Sequence, residues 1–96
     1  MLLIYKIATT ADHTVTDVAT VPAADLLSLM PNGDLLDGGD NVYRINPTTG
    51  LVTTVISDVD QVRGTAYDNV MKRLFLIEHS VTAGVPDKLI IRPLDQ

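Results

Sequence analysis

Residues 32–50, Asn-Gly-Asp-Leu-Leu-Asp-Gly-Gly-Asp-Asn-Val-Tyr-Arg-Ile-Asn-Pro-Thr-Thr-Gly, restrict the fold more than any other stretch of the chain. Asn32-Gly33 supplies the positive backbone dihedrals of a two-residue hairpin turn, because glycine has no Cβ and asparagine tolerates the left-handed region. A hairpin there pairs 26–30 with 34–37. A second reversal at 37–41 leads into 42–45, whose β-branched and aromatic residues suit a pleated strand. Pro47 ends that strand by removing a ladder donor, Thr48-Thr49-Gly50 turns the chain again, and 51–56 forms the next strand. Four consecutive strands joined by short turns make an antiparallel meander, the size of one propeller blade.

The unit repeats. Tyr5-Lys6-Ile7 precedes Tyr43-Arg44-Ile45 by 38 residues, Val15 precedes Val52 by 37, and Leu35 precedes Leu74 by 39. Residues 87–93 match 40–47 loosely, again ending near a proline. A fixed period with strands and turns in each copy marks a repeat architecture. The segment 23–30 has helical propensity, yet both the Asn-Gly turn and the repeat favour a strand there.

Val42-Tyr43-Arg44-Ile45-Asn46-Pro47-Thr48-Thr49-Gly50, followed by Val62-Arg63-Gly64-Thr65-Ala66-Tyr67-Asp68 and Lys72-Arg73-Leu74-Phe75-Leu76, resembles the blade pattern of NHL-type and quinoprotein-like β-propellers. The resemblance implies that an Asn-Pro-x-Thr-Gly strand end closes one blade and that the Arg-Gly segment opens the next as its innermost strand. It covers about residues 24–79 and carries over no catalytic residue, since this fold hosts binding platforms, hydrolases and dehydrogenases alike.

Lettering strands A to D from the channel outward, the chain reads C-D, then A-B-C-D, then A-B-C. This is a single all-β domain with a partial blade at 1–22, a full blade at 23–58 and a partial blade at 59–96. Unfinished blades expose edges and faces that invite pairing, so the ring is expected to close by head-to-tail oligomerisation. About two blades per chain favour a six-bladed homotrimer, with one C-like strand left over from nine. A chain opening with Met1 and a strand reads as a whole short gene product rather than a piece of a longer propeller.

Ninety-six residues without cysteine allow only a thin core and no disulfide support. A net charge of −5 argues against nucleic acid or an anionic membrane as partner. The apolar run 1–4 is too short for a signal peptide or a membrane span, so a soluble protein of unassigned compartment is expected.

Few residues point to chemistry. His13 and His79 are far apart and lack metal-ligand spacing. His13 reads as solvated, whereas His79 follows strand B at a rim where propellers commonly bind ligands. The loop carrying Asp34, Asp37, Asp40 and Asn41 has calcium-type oxygens but neither EF-hand spacing nor its closing glutamate, and tight turns use the same residues. No metal or cofactor is expected. Arg63, at the entry of an innermost strand, can hold a carboxylate or sugar hydroxyl, or pair with Asp58, Asp60 or Asp68 between blades. Arg63, His79, Asp40 and Tyr67 form the ligand-binding candidates; none is expected to be catalytic.

Three functions are compatible with this reading. The first is a non-enzymatic structural or recognition module, oligomeric and suited to a larger particle such as a virion. The second is a small oligomeric lectin binding carbohydrate between blades, weakened by the absence of tryptophan. The third is a metal-dependent hydrolase at the channel, for which the sequence offers least.

Overall fold

The computed structural model describes residues 2–9, 11, 14–21 and 26–96, which include nine strands and no helix. They are β1 (Leu2–Ile7), β2 (Val15–Val21), β3 (Leu26–Leu29), β4 (Leu35–Gly38), β5 (Val42–Ile45), β6 (Val52–Ile56), β7 (Val62–Asp68), β8 (Arg73–Glu78) and β9 (Lys88–Pro93). Every strand pairs antiparallel with its neighbour in sequence, giving sheets ordered β1-β2, β3-β4-β5-β6 and β7-β8-β9. The chain is therefore all-β, in three small sheets. Its segment 26–29 is strand, not helix; residues 23–25 and His13 lie outside the described residues.

The first hairpin of the middle sheet differs from the two-residue turn expected at Asn32-Gly33. Pro31, Asn32 and Gly33 form a three-residue loop, closed by Gly33 N–H donating to the Met30 carbonyl (3.0 Å) and Met30 N–H donating to that of Asp34 (2.8 Å). Only Gly33 takes a positive φ, 96°. Proline is the reason: its ring presets the dihedral of a type I turn's first central residue, and glycine then absorbs the left-handed step that returns the chain to the ladder. At the next reversal but one, the Asn46 side chain accepts from the amides of Thr48 (2.9 Å) and Thr49 (3.2 Å), so the turn after Pro47 is held by a local side chain.

The middle sheet is covered on both faces. Adjacent residues of a strand point oppositely, and here both directions are apolar: Leu36 and Val42 join Met30, Ile56 and Val59 against Val62, Leu74 and Leu76 of the third sheet. Leu35, Ile45 and Val52 lie on the other side against Ile4, Ala19 and Val21 of the first sheet. The coverage is partial in a regular way. The third sheet seats β7 on β3 and β4, whereas the first sheet seats β2 on β6. Ser28 and Thr65 share a hydroxyl hydrogen bond of 2.7 Å across the former junction, and Val62 N–H donates to the Gly39 carbonyl at 2.7 Å. The stack measures 48 × 31 × 22 Å with a radius of gyration of 14.4 Å. A compact domain of this length would have about 12.5 Å, so the sheets extend along one direction instead of closing on a common core.

Gly38 is a close-approach site at the β4–β7 junction. A Cβ there would sit 2.8 Å from Val62 Cγ1, and Val62 is wholly buried and stiff at χ1. Gly38→Ala should destabilise the chain by ~1–3 kcal/mol in chemical denaturation, the range for an overpacked core. Adding Val62→Ala should recover part of that loss relative to Val62→Ala alone. Simple additivity in this double-mutant cycle would contradict the contact.

Candidate functional site

The sequence candidates fall at two ends of the stack. Asp40 lies in the β4–β5 turn, Arg63 near the start of β7 and His79 just past β8; these ends are tied together by Val62 N–H to Gly39 and by His79 N–H to the Gln61 carbonyl (2.9 Å). Tyr67 is at the opposite end of β7, half-buried, with its hydroxyl donating to the Leu94 carbonyl at 2.6 Å. The structure thus groups Asp40, Arg63 and His79 on one end and gives Tyr67 a packing and anchoring position away from them.

The common end carries a polar cleft of about 270 Å³ bordered by Asp60, Gln61, Glu78, His79, Val85 and Lys88. Its rim is a loop, residues 79–87, folded back on Asp87. The Asp87 carboxylate accepts from the Ser80 amide (2.8 Å) and lies 3.2 Å from His79 Nδ1. These two interactions, the amide first, hold the Asp87 carboxyl below the usual carboxylate range. A carboxylate on an imidazole is half of an acyl-transfer relay, which also needs a hydroxyl at the ring. Ser80 Oγ instead donates to the Thr82 carbonyl and accepts from the Thr82 amide, both at 3.3 Å.

Electrostatic partners elsewhere differ from those weighed for Arg63. Asp58 is engaged by Arg92 (2.8 Å) and Asp68 by Arg73 (3.0 Å), and these guanidiniums lower both carboxyls. Arg63 Nη2 donates to Gln61 Oε1 at 3.3 Å, and Arg63 is the extra residue of a bulge between Val62 and Gly64. The acidic loop is dispersed: Asp34 is bound by Arg44 at 2.7 Å at one end of β4, Asp37 is buried within it, and Asp40 accepts from the Tyr43 hydroxyl at 2.9 Å. Burial raises the Tyr43 phenol above its ordinary range, and the neighbouring carboxylates of Asp40 and Asp37 add to that. Among the described residues, no three His, Asp or Glu side chains gather as a metal site.

A second surface went unrecognised in the sequence. On the outer face of the third sheet, Gly64 pairs with Ile77 and Ile77 with Leu89, while Ala66 pairs with Phe75 and Phe75 with Ile91. Small residues on β7 beside large ones on β8 and β9 leave an apolar notch of about 310 Å³, lined by Gly64, Ala66, Phe75, Ile77 and Leu89. Arg73 covers one end, its guanidinium 5.0 Å from the Phe75 ring centroid. The signal was the alternation in β7: once Val62, Thr65 and Tyr67 are assigned inward, glycine and alanine are what remain outside.

No protein-family model, curated protein or solved structure matches the chain. No helix of the described residues is long and apolar enough to cross a membrane, a statement that does not bear on strand-built spans.

The Asp87 anchor makes a pH-dependent loop. Its carboxyl is lowered by folding, so its contribution is present above the unfolded pKa and is lost as pH falls through the folded one. The Ser80 amide resonance should therefore titrate below the range of an ordinary aspartate. Asp87→Ala should abolish that titration and speed Ser80 amide exchange at neutral pH, with no change in the β8 amides.

Proposed function

We propose that the chain is a non-enzymatic structural or recognition module that assembles head to tail with copies of itself into a closed β-propeller, six-bladed as a homotrimer. The observation that carries this reading is the unequal burial of equivalent repeat positions. Tyr43 and Ile45 of the middle sheet are 5% and 0% exposed, Ile45 within the cluster shared with the first sheet. Their counterparts Tyr5 and Ile7, 38 residues earlier, are 54% and 56% exposed on the first sheet, beside Leu3 and Val15. The other end repeats the contrast. Leu36 is fully buried under the third sheet, whereas its counterpart Phe75 sits on an outer face with Ile77, Leu89 and Ile91 open to solvent.

Each terminal face thus has the apolar pattern of a covered sheet without the cover. Monomeric proteins rarely expose large contiguous apolar patches, and wet apolar area costs about 25 cal/mol per Å². The seating of inner strand on inner strand (β3 and β4 on β7) and outer on outer (β2 on β6) also suits blades arranged about an axis. An assembly role asks for no catalytic step, and the Ser80 hydroxyl beside His79 bonds the Thr82 backbone.

Light scattering across a dilution series should return three times the mass of one chain. Ile77→Asp, on the outer face, should leave folded species of lower mass. Leu76→Asp, on the inner face, should abolish folding and assembly together, because it places an unpaired charge in the core. A monodisperse monomer at every concentration would remove the proposal.

A further inference from the structure

The notch at Gly64 and Ala66 has a matching projection on the same molecule, at a place it cannot reach. Leu27 and Leu29 of β3 point to the side of the middle sheet that the first sheet covers, but the first sheet seats on β6 and leaves them 51% and 69% exposed. We propose that Leu27 of one copy inserts against Ala66 of the next, so that the outer face of β7 packs on the uncovered face of β3. This contact rests on the self-assembly proposed above and adds to it the residues that meet.

The register follows from the contact already made within one chain. Leu29 pairs with Leu35 and Tyr67 with Leu74, and Leu35 and Leu74 are equivalent repeat positions. Stepping back one pair makes Ser28 equivalent to Ala66, and a second step makes Leu27 equivalent to Thr65. Inside the chain, Ser28 of the middle sheet meets Thr65 of the third at 2.7 Å. Carrying the same step onward from the third sheet, the equivalent of Ser28 is Ala66, and what it meets is the equivalent of Thr65 on the next middle sheet, Leu27. Size agrees with register: alanine and glycine leave the room that a leucine takes up, and Phe75, Ile77 and Leu89 supply apolar walls. The occupant is therefore a second copy of this chain.

The chain has no cysteine, so an introduced pair reports alone. Leu27→Cys combined with Ala66→Cys, oxidised and run without reductant, should give covalent dimer and trimer bands. Each single variant should give no Leu27–Ala66 bond, and Leu27→Cys combined with Val70→Cys, on the far hairpin, should give no oligomer ladder above the single variants. Both target residues are solvent-exposed in the lone chain, and a charge pair provides an independent reading. Ala66→Asp or Leu27→Lys alone should raise the dissociation midpoint roughly tenfold or more by burying an unpaired charge, and the two together should restore part of the loss. A trimer by mass with neither cross-link nor charge rescue would overturn this contact and leave self-assembly standing. A monomer by mass would overturn both and leave the notch to a different partner.

Discussion

A sheet that is apolar on both faces cannot be the outside of anything. The middle sheet places Leu35 and Leu36, side by side in β4, into two separate clusters, and neither face alternates with the polar residues that a water-facing antiparallel sheet would carry. Both neighbours are thereby required. In the repeat reading of the sequence they are copies of the same unit, and a copy brings its pattern with it: β1 presents Leu3, Tyr5 and Ile7 outward as β5 presents Tyr43 and Ile45, and β8 presents Phe75 and Ile77 as β4 presents Leu36. Each added sheet satisfies one face and creates the next demand. In the proposed ring that demand ends by meeting its own beginning.

Secondary structure was legible because its signals are local. Turn residues at 32–33, 37–41 and 46–50 punctuate β-branched runs. Where local chemistry competed, reading failed in detail: Pro31 outvoted the Asn-Gly pair and lengthened the hairpin loop. Side-chain partners were not legible. Arg63 lies within five residues of Asp58, Asp60 and Asp68, yet Asp58 goes to Arg92 of β9 and Asp68 to Arg73, its cross-strand partner where β7 pairs with β8. Tyr67 looked like a ligand contact and is tethered to Leu94, since alternation along a seven-residue strand puts it far from the end where Arg63 emerges. The notch was hidden for a related reason: small residues carry meaning only after the inward face of β7 is known.

The ion pairs contribute differently. Most are partly exposed and screened, and contacts of this kind add little to stability. Their effect is to shape loops: Asp87 folds 79–87 over the cleft, Asp68 accepts from the amides of Val70 and Met71 to close the β7–β8 hairpin, and Arg44 holds both Asp34 and the Asp95 carbonyl. The last of these fastens the end of the chain to the middle sheet. Apolar burial stacks the sheets, and charge sets the outline of their rims.

Strands paired only with their immediate successors have a kinetic meaning as well. Contacts so near in sequence form early, hairpins within microseconds, while stacking one meander on another waits for larger loops to close. Any joining of separate molecules is second order, and its rate rises with the square of chain concentration. In the proposed assembly, a freshly made polypeptide would thus acquire its ladders unaided and then wait for its partners, a delay set by abundance and not by sequence.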